Sequence, residues 1–573
     1  MIDLIYNKND LRYLFLVGDK HELIKIEAYF NKIPNYMFLP SFSGIPKPVV
    51  FIHKVVKDNR VIYFCNSGLW KEIRDFCKSS NITVNGPDNY FKLTDFSLSL
   101  EDFTELIDRW NLNVKPRDYQ IEATWKILHY RQSMSQLATR SGKTLMAYIV
   151  MRYLIESKML KREPNILMIV PNITLVKQGI SDLEEYKEFF KSDIVCASLE
   201  NVSSKDSKKD SNEIKQVYSN LTIGTFQSLI KRCDRKSSKY NPKFFDKYNI
   251  VLIDEVHKAN CKSIEDILKA LKNIEFKFGF SGTIPDNNTI ENFGCQSLVG
   301  PVIQNISTTE LVNDGYLAKP IITQLHIHYK ESLINNYIKY AEYLCSNFEI
   351  DSNGSRILLN EKDRDLTMIH KKKLPLAISE TKNNLSKAAY CEFLINLCKA
   401  KGSNLLILEQ MLAEHSQKKL DVITDIITVY KELNGIIFAH NDAYINYLED
   451  YYKKIFPNKT IYKMKGSTAL KTRTKIIESL NSTNNNLLIA SYGVTSTGLT
   501  FKNIDYCVFS QSFKSKIINM QSLGRGLLLT DSKKEFYIYD LIDYFPTKRL
   551  ERHGKEKLKM YKDAQFEVVV KDV

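Results

Sequence analysis

The chain predicts an α/β protein, two parallel-sheet domains in tandem behind a small α+β domain, and three observations carry that expectation. Its 573 residues exceed what one hydrophobic core usually holds. Two separate stretches alternate short apolar runs with helical periodicity, the pattern of a parallel sheet wrapped by crossover helices. Most of the apolar runs end in polar or glycine-bearing turns, and in open parallel sheets the chemistry sits beyond the carboxyl ends of the strands.

The first of these stretches follows a region of different character. From Met1 to about Asp95, the runs Tyr13 to Val17, Val49 to Ile52 and Val61 to Cys65 alternate with helical patterns at Glu22 to Phe30 and Leu69 to Cys77, which reads as a small α+β domain over 1–95. A helix over Ser97 to Trp110 connects it to a domain over 96–318, with strands expected at Gln136 to Thr139, Ile166 to Val170, Leu221 to Gly224, Ile250 to Ile253 and Phe276 to Phe280. Asn201 to Asn212, rich in Ser, Lys and Asp, reads as a surface loop. Pro320 to about Asn434 reads as mostly helical, with an extended or inserted segment over about 329–434. Strands return at Gly435 to Ala439, Asn486 to Ala490, Tyr506 to Phe509 and Phe536 to Tyr539, so 319–573 reads as a second α/β domain.

Composition narrows the class. A hydrophobic fraction of 44% with 26% charged residues is globular, without apolar runs long enough for a membrane. The formal charge of +15 favours a polyanionic partner. Ten cysteines scattered singly suit neither zinc nor a disulfide framework and read as free thiols. The N-terminus lacks the basic-then-apolar layout of a signal peptide, and a reducing cytoplasm is the expected compartment.

Ala138-Thr139-Arg140-Ser141-Gly142-Lys143-Thr144 follows a strand and precedes a helix, the layout that aims backbone amides and a helix N-terminus at phosphate oxygens. Ser141, Gly142, Lys143 and Thr144 would cradle the nucleotide, Lys143 reaching the β- and γ-phosphates and the Thr144 hydroxyl holding Mg²⁺. Leu137 stands where the strict pattern has its first glycine, so by itself the stretch also fits an ordinary helix start with a solvated lysine. Asp254-Glu255 ends the buried run Ile250-Val251-Leu252-Ile253. There Asp254 would hold the metal through water, and Glu255 would orient and deprotonate the water attacking the γ-phosphate. Together the two stretches describe an ATP site.

In order and content these motifs resemble those of superfamily-two helicases and translocases. The resemblance implies two RecA-like parallel-sheet domains in tandem with a small N-terminal α+β domain that binds DNA as a second duplex-contacting module, its own Lys47, Lys54, Lys57 and Arg60 being the cations that fit this. It implies that in Pro116-Arg117-Asp118-Tyr119-Gln120 the Gln120 side chain meets the adenine edge, with Tyr119 or Arg117 stacked on it. Pro171 and Asn172, then Thr225 and Gln227, occupy the places of strand-contacting motifs that grip phosphates without reading bases. Ser281-Gly282-Thr283 resembles the motif linking hydrolysis to domain movement, with Ser281 and Thr283 near His257. Ser491, Thr497 and Gly498 fall in a motif touching strand and nucleotide, and Gln521-Ser522-Leu523-Gly524-Arg525 in the one placing Gln521 and Arg525 across the cleft from the γ-phosphate. Where the superfamily usually carries a second arginine, this chain has Leu528. Within the superfamily, Ala490 to Tyr544, Phe278 to Gly282 and, more weakly, Phe38 to Phe42 and Leu69 to Cys77 resemble phage recombination and repair helicases.

The resemblance implies ATP and Mg²⁺ as cofactors and an ATP-dependent helicase remodelling branched DNA in recombination, repair or replication. Branched or duplex DNA is the expected partner, with single strands included, RNA left open and no membrane; a monomer is the expected state. Two other readings stay open, a duplex translocase that separates no strands and, on account of Leu528, a slow ATP-gated clamp. Thr547 to Lys562, with seven Lys or Arg, reads either as a basic helix facing DNA or as a solvated terminal helix. No nuclease constellation is apparent.

Overall fold

The computed structural model describes residues 1–7, 10–32, 47–57, 60–86, 96–187, 189–195, 218–258, 262–329, 349–350, 357–358, 410, 413–492, 501–511, 526–529, 533–545 and 549–573. They form two compact units, Met1–Ser307 and Thr308–Val573. Among them no helix is long and apolar enough to cross a membrane.

The first unit begins with a sheet of β1 (Ile2–Asn7), β2 (Asp10–Gly18), β3 (His53–Lys57), β4 (Arg60–Asn66) and β5 (Val84–Asn85), in the order β3-β4-β2-β1-β5. β1 to β4 pair antiparallel and β5 runs parallel to β1. Helices α1 (Lys20–Phe30) and α2 (Trp70–Ser79) contribute Ile26, Phe30 and Ile73 to the core that the strands fill with Ile2, Leu4, Leu14, Leu16 and Cys65. Asp19 starts α1 by accepting the amides of His21 and Glu22. Val49 to Ile52, expected as a strand, is instead held by Asn31, whose side-chain oxygen takes the amides of Phe51 and Ile52. The strand lies just beyond, as β3.

After α3 (Leu100–Arg109) and α4 (Asp118–Leu128) comes a seven-stranded sheet, parallel throughout. Its strands are β6 (Gln132–Leu137), β7 (Ile166–Val170), β8 (Phe190–Val195), β9 (Tyr218–Thr225), β10 (Ile250–Asp254), β11 (Phe276–Ser281) and β12 (Val302–Ile306), ordered β12-β6-β11-β10-β7-β9-β8. Helices α5 (Lys143–Glu156), α6 (Ile173–Tyr186), α7 (Phe226–Cys233), α8 (Lys262–Ala270) and α9 (Ile290–Val299) make the crossovers. β6 starts earlier than Gln136 because polar Gln132, Ser133 and Ser135 are themselves buried in it. That leaves Ala138 and Thr139 free to turn.

α9 joins the small domain to this sheet. Phe293 sits in the small domain's core, Gln296 donates to Glu72 at 2.9 Å, and Ser67 pairs with Gln132 across the junction. Gly68 is needed there, since a Cβ would lie 2.0 Å from the Gln296 carbonyl oxygen.

The second unit holds α10 (Thr308–Asn313) and another all-parallel sheet ordered β17-β18-β16-β19-β20-β13-β21. Its strands are β13 (Lys319–His328), β16 (Gly435–Ala439), β17 (Thr460–Met464), β18 (Asn486–Ser491), β19 (Tyr506–Phe509), β20 (Glu535–Tyr544) and β21 (Val568–Asp572); β14 (Glu349–Ile350) and β15 (Ile357–Leu358) form a separate two-stranded ladder. β13 corrects the helical reading of the stretch from Pro320, while most of 329–434 and all of Asn201 to Asn212 lie outside the described residues. The helices are α11 (Gln417–Val429), α12 (Asp442–Ile455), α13 (Leu470–Ser482) and α14 (Arg549–Asp563). Helices are pinned to the sheet through β20, where Asp540 pairs with Lys557 of α14 and Asp543 with Lys419 of α11 at 2.7 Å, all four buried. Lys557 therefore leaves the basic face of the terminal helix; Arg552, Lys555, Lys559 and Lys562 stay exposed.

Both parallel-sheet domains thus have the RecA-like architecture that the motifs implied.

Candidate functional site

The carboxyl ends of three neighbouring strands, β6, β11 and β10, converge in the first unit. β6 delivers the loop from Ala138 to Thr144, β10 delivers Asp254 and Glu255, and β11 between them delivers Ser281, Gly282 and Thr283. Parallel strands in register bring their ends to one edge, so residues far apart in sequence meet there.

The loop is tightly wound. Gly142 has φ +80°, and a Cβ on it would lie 2.2 Å from the Gln120 side-chain nitrogen. Arg140 also adopts left-handed backbone, at φ +74°, a conformation costing about 1–3 kcal/mol that concentrates at functional sites. The Gln120 amide and the Tyr119 hydroxyl both donate to the Ser141 carbonyl at 2.8 Å, and the Gln120 oxygen accepts the Arg117 amide at 2.9 Å. All three residues expected at the adenine thus gather at the loop, two of them bracing it directly. Lys143 donates to the Leu137 carbonyl at 3.3 Å. Gly282 packs against the same loop, its hypothetical Cβ being 3.2 Å from the Thr139 hydroxyl and 3.7 Å from the Lys143 nitrogen.

Glu255, with φ +53°, stands in a compact polar network. The Ser281 hydroxyl lies 2.8 Å from His257 Nδ1, 3.2 Å from Glu255 Oε2 and 2.6 Å from the Thr283 carbonyl, and it accepts the Thr283 amide. One hydroxyl proton cannot serve both oxygens, and the shorter contact assigns it to Thr283. His257 Nδ1–H then donates toward Ser281, with Glu255 Oε2 3.3 Å away. Cys295 of α9 reaches the His257 carbonyl through its thiol.

A residue not anticipated from sequence joins the site from α6. Asp182 lies beside Thr144, and burial, helped by Glu185, pushes its carboxyl up to about 6 against the opposing influence of the Thr144 hydroxyl. Nothing in its helical setting marks Asp182 in the sequence.

The groups fit a bound nucleotide and its metal. The Ser141 hydroxyl is fully buried in the loop without a hydrogen-bond partner, as is that of Thr283. A left-handed glycine opens the loop at the start of α5, where amides and the helix dipole favour an anion.

The proposed strand-gripping residues are partly engaged locally. Asn172 caps α6 by accepting the Leu175 amide at 3.0 Å, Thr225 donates to Ser228 at 3.0 Å, and Gln227 donates to the Pro171 carbonyl at 3.2 Å. In the second unit Ser491 ends β18. Thr497, Gly498, Gln521 and Arg525 lie outside the described residues. Leu528 forms a backbone bridge with Leu317.

Two family models match the chain, "Type III restriction enzyme, res subunit" over residues 113–286 and "Helicase conserved C-terminal domain" over residues 418–527. The chain is 26% identical over 501 residues to the ATP-dependent DNA helicase uvsW of Enterobacteria phage T4, covering 83% of this chain and 82% of that protein. It is 22% identical over 478 residues to a putative helicase 22 of a Sulfolobus islandicus filamentous virus, covering 79% and 69%. Among solved structures, the DNA-bound ATP-dependent Type ISP restriction-modification enzyme LlaBIII overlays with a TM-score of 0.52 at 12% identity, over 80% of this chain and 32% of that one.

Proposed function

We propose, for a chain that is a superfamily-two helicase resembling uvsW of phage T4, that it hydrolyses ATP to unwind or remodel branched DNA. The observation that supports this most directly is the meeting of the phosphate loop, the Asp254-Glu255 pair and the Ser281-Gly282-Thr283 turn on three adjacent strands. Loop amides and Lys143 hold the β- and γ-phosphates, braced from behind by Gln120 and Tyr119. Thr144 and Asp254 would hold Mg²⁺, which neutralises charge developing on the phosphates. Glu255 orients and deprotonates the attacking water. His257 stands 3.3 Å from Glu255 and donates to Ser281, which is bonded to the Thr283 turn, so a shift at either the water-activating carboxylate or that turn is felt by the other. By the resemblance, Gln521 and Arg525 of the second domain would supply charge to the transition state and so make hydrolysis depend on domain closure.

Leu528 favours a second reading, a slow clamp, because an arginine finger contributes a factor of about 10³–10⁵ in rate. Phosphate release titrated with single-stranded, duplex and forked DNA and with RNA, at one salt concentration, tests both. Forked DNA is expected to stimulate most, and a Lys143→Ala chain to show at least a hundredfold less turnover. DNA-independent release at the level of that variant would overturn the motor and leave the clamp.

A further inference from the structure

The N-terminal sheet has a second face, opposite α1 and α2. Register places Ile5, Phe15, Phe64 and His53 in one row across β1, β2, β4 and β3, with Tyr13 beside Phe15 and Val55 opposite Ile62 in the next row. Every one of these residues is partly or largely exposed, Ile5 to 49% and Val55 to 50%, whereas their alternates Leu4, Leu14, Leu16, Tyr63 and Cys65 are buried. An antiparallel sheet with one solvated face normally turns polar side chains outward. Here the outward row carries rings in mutual contact, with His53 stacked on Phe64 at 5.2 Å and Tyr13 edge-on to it at 6.1 Å.

Charge identifies the partner. Lys57 and Arg60 stand directly opposite each other at the end of the β3–β4 ribbon, both exposed on the aromatic face. Two like charges in register destabilise a strand pair, a cost a polyanion offsets. Arg12 lies over the Tyr13 ring at 5.4 Å but donates to the Lys269 carbonyl at 2.6 Å, beside Arg131 and Lys277 in a pocket at the junction with the parallel sheet. Exposed rings flanked by cations suit unstacked bases on a charged backbone, while a duplex hides its base faces.

We propose that this face is a stacking platform for single-stranded DNA, with bases on Phe15, Phe64 and Tyr13 and phosphates toward Lys57 and Arg60. The assignment rests on the DNA reading above and adds the strand class and the residues. The test uses the full-length chain without nucleotide, an end-labelled oligo(dT), a duplex of equal length, and an oligonucleotide carrying a fluorescent adenine analogue quenched by stacking. A Phe15→Leu/Phe64→Leu double variant should bind oligo(dT) roughly tenfold or more weakly, with quenching reduced and duplex binding changed less than about twofold. Phe64→Tyr should bind as the wild type does. Lys57→Glu with Arg60→Glu should lower the salt slope for oligo(dT) by roughly 1 to 1.5. Unchanged oligo(dT) affinity and quenching in a leucine variant of wild-type circular dichroism, or an equal loss on duplex, overturns the platform. Absence of DNA-stimulated ATP hydrolysis from the wild type would instead remove the motor while leaving oligo(dT) binding as measured.

Discussion

The two seven-stranded sheets share a plan and use buried polarity differently. In the first, polar groups collect at the strand ends, where Arg140, Gly142 and Glu255 hold left-handed backbone and the Ser281 hydroxyl bonds His257 and Thr283. In the second, charge is sunk into the middle of the layers, Asp540 against Lys557 and Asp543 against Lys419, each carboxylate also taking a tyrosine hydroxyl, from Tyr561 and Tyr329. Strain at an edge keeps a site poised, whereas an ion pair inside a sheet fixes which helix lies on which face. One half is built to react and the other to stay in one arrangement.

The contrast can be broken at its strongest point first. Lys557→Met strands the buried Asp540 carboxylate and should cost about 3–5 kcal/mol, read as a lower denaturation midpoint. A loss under about 1 kcal/mol would mean that the pair is not structural.

Ser281→Ala probes the reactive edge. It removes the hydroxyl that bonds His257 and the Thr283 turn beside Glu255, and should lower kcat about tenfold, on the order of 1.4 kcal/mol, with nucleotide affinity and melting temperature nearly unchanged. A fall in affinity with kcat intact would make Ser281 a binding group.

The finest adjustment is Glu414, at the carboxyl edge of the second sheet, where burial pushes its carboxyl up to about 7 although Asn441 and Gln511 hydrogen-bond it. A carboxyl with a raised folded pKa binds its proton more tightly in the folded state. Its contribution is therefore full below the ordinary value of 4.5 and lost as pH rises from there to about 7. Glu414→Gln should flatten that slope in denaturation curves collected across the window. An unaltered slope would assign it to another group.

How legible these features are in sequence follows from what each strand carries. β10 announces itself because four apolar residues end in Asp254-Glu255. β6 does not, since Gln132, Ser133 and Ser135 look like surface yet are buried, and apolar patterning alone slides the strand toward the loop. β13 is hidden similarly: it opens on Lys319-Pro320 and buries Gln324 among its apolar residues. In the site, the degenerate phosphate loop is readable from the order of the later motifs. Its support from Tyr119 and Gln120 is less so, because a hydrogen bond to a carbonyl leaves no mark in residue type. Asp182 is unreadable, being one carboxylate among three acidic residues near the end of α6. The aromatic face of the small domain was in plain view as alternation in β2 and β4, but alternation does not say which side is covered.

The tight seat of Gly68 against Gln296 has a mechanical meaning. A junction with no room for one methyl group cannot act as a swivel, so the small sheet must travel as a prow fixed to the ATP-binding half. Any strand resting on that prow would be pushed in step with each hydrolytic cycle.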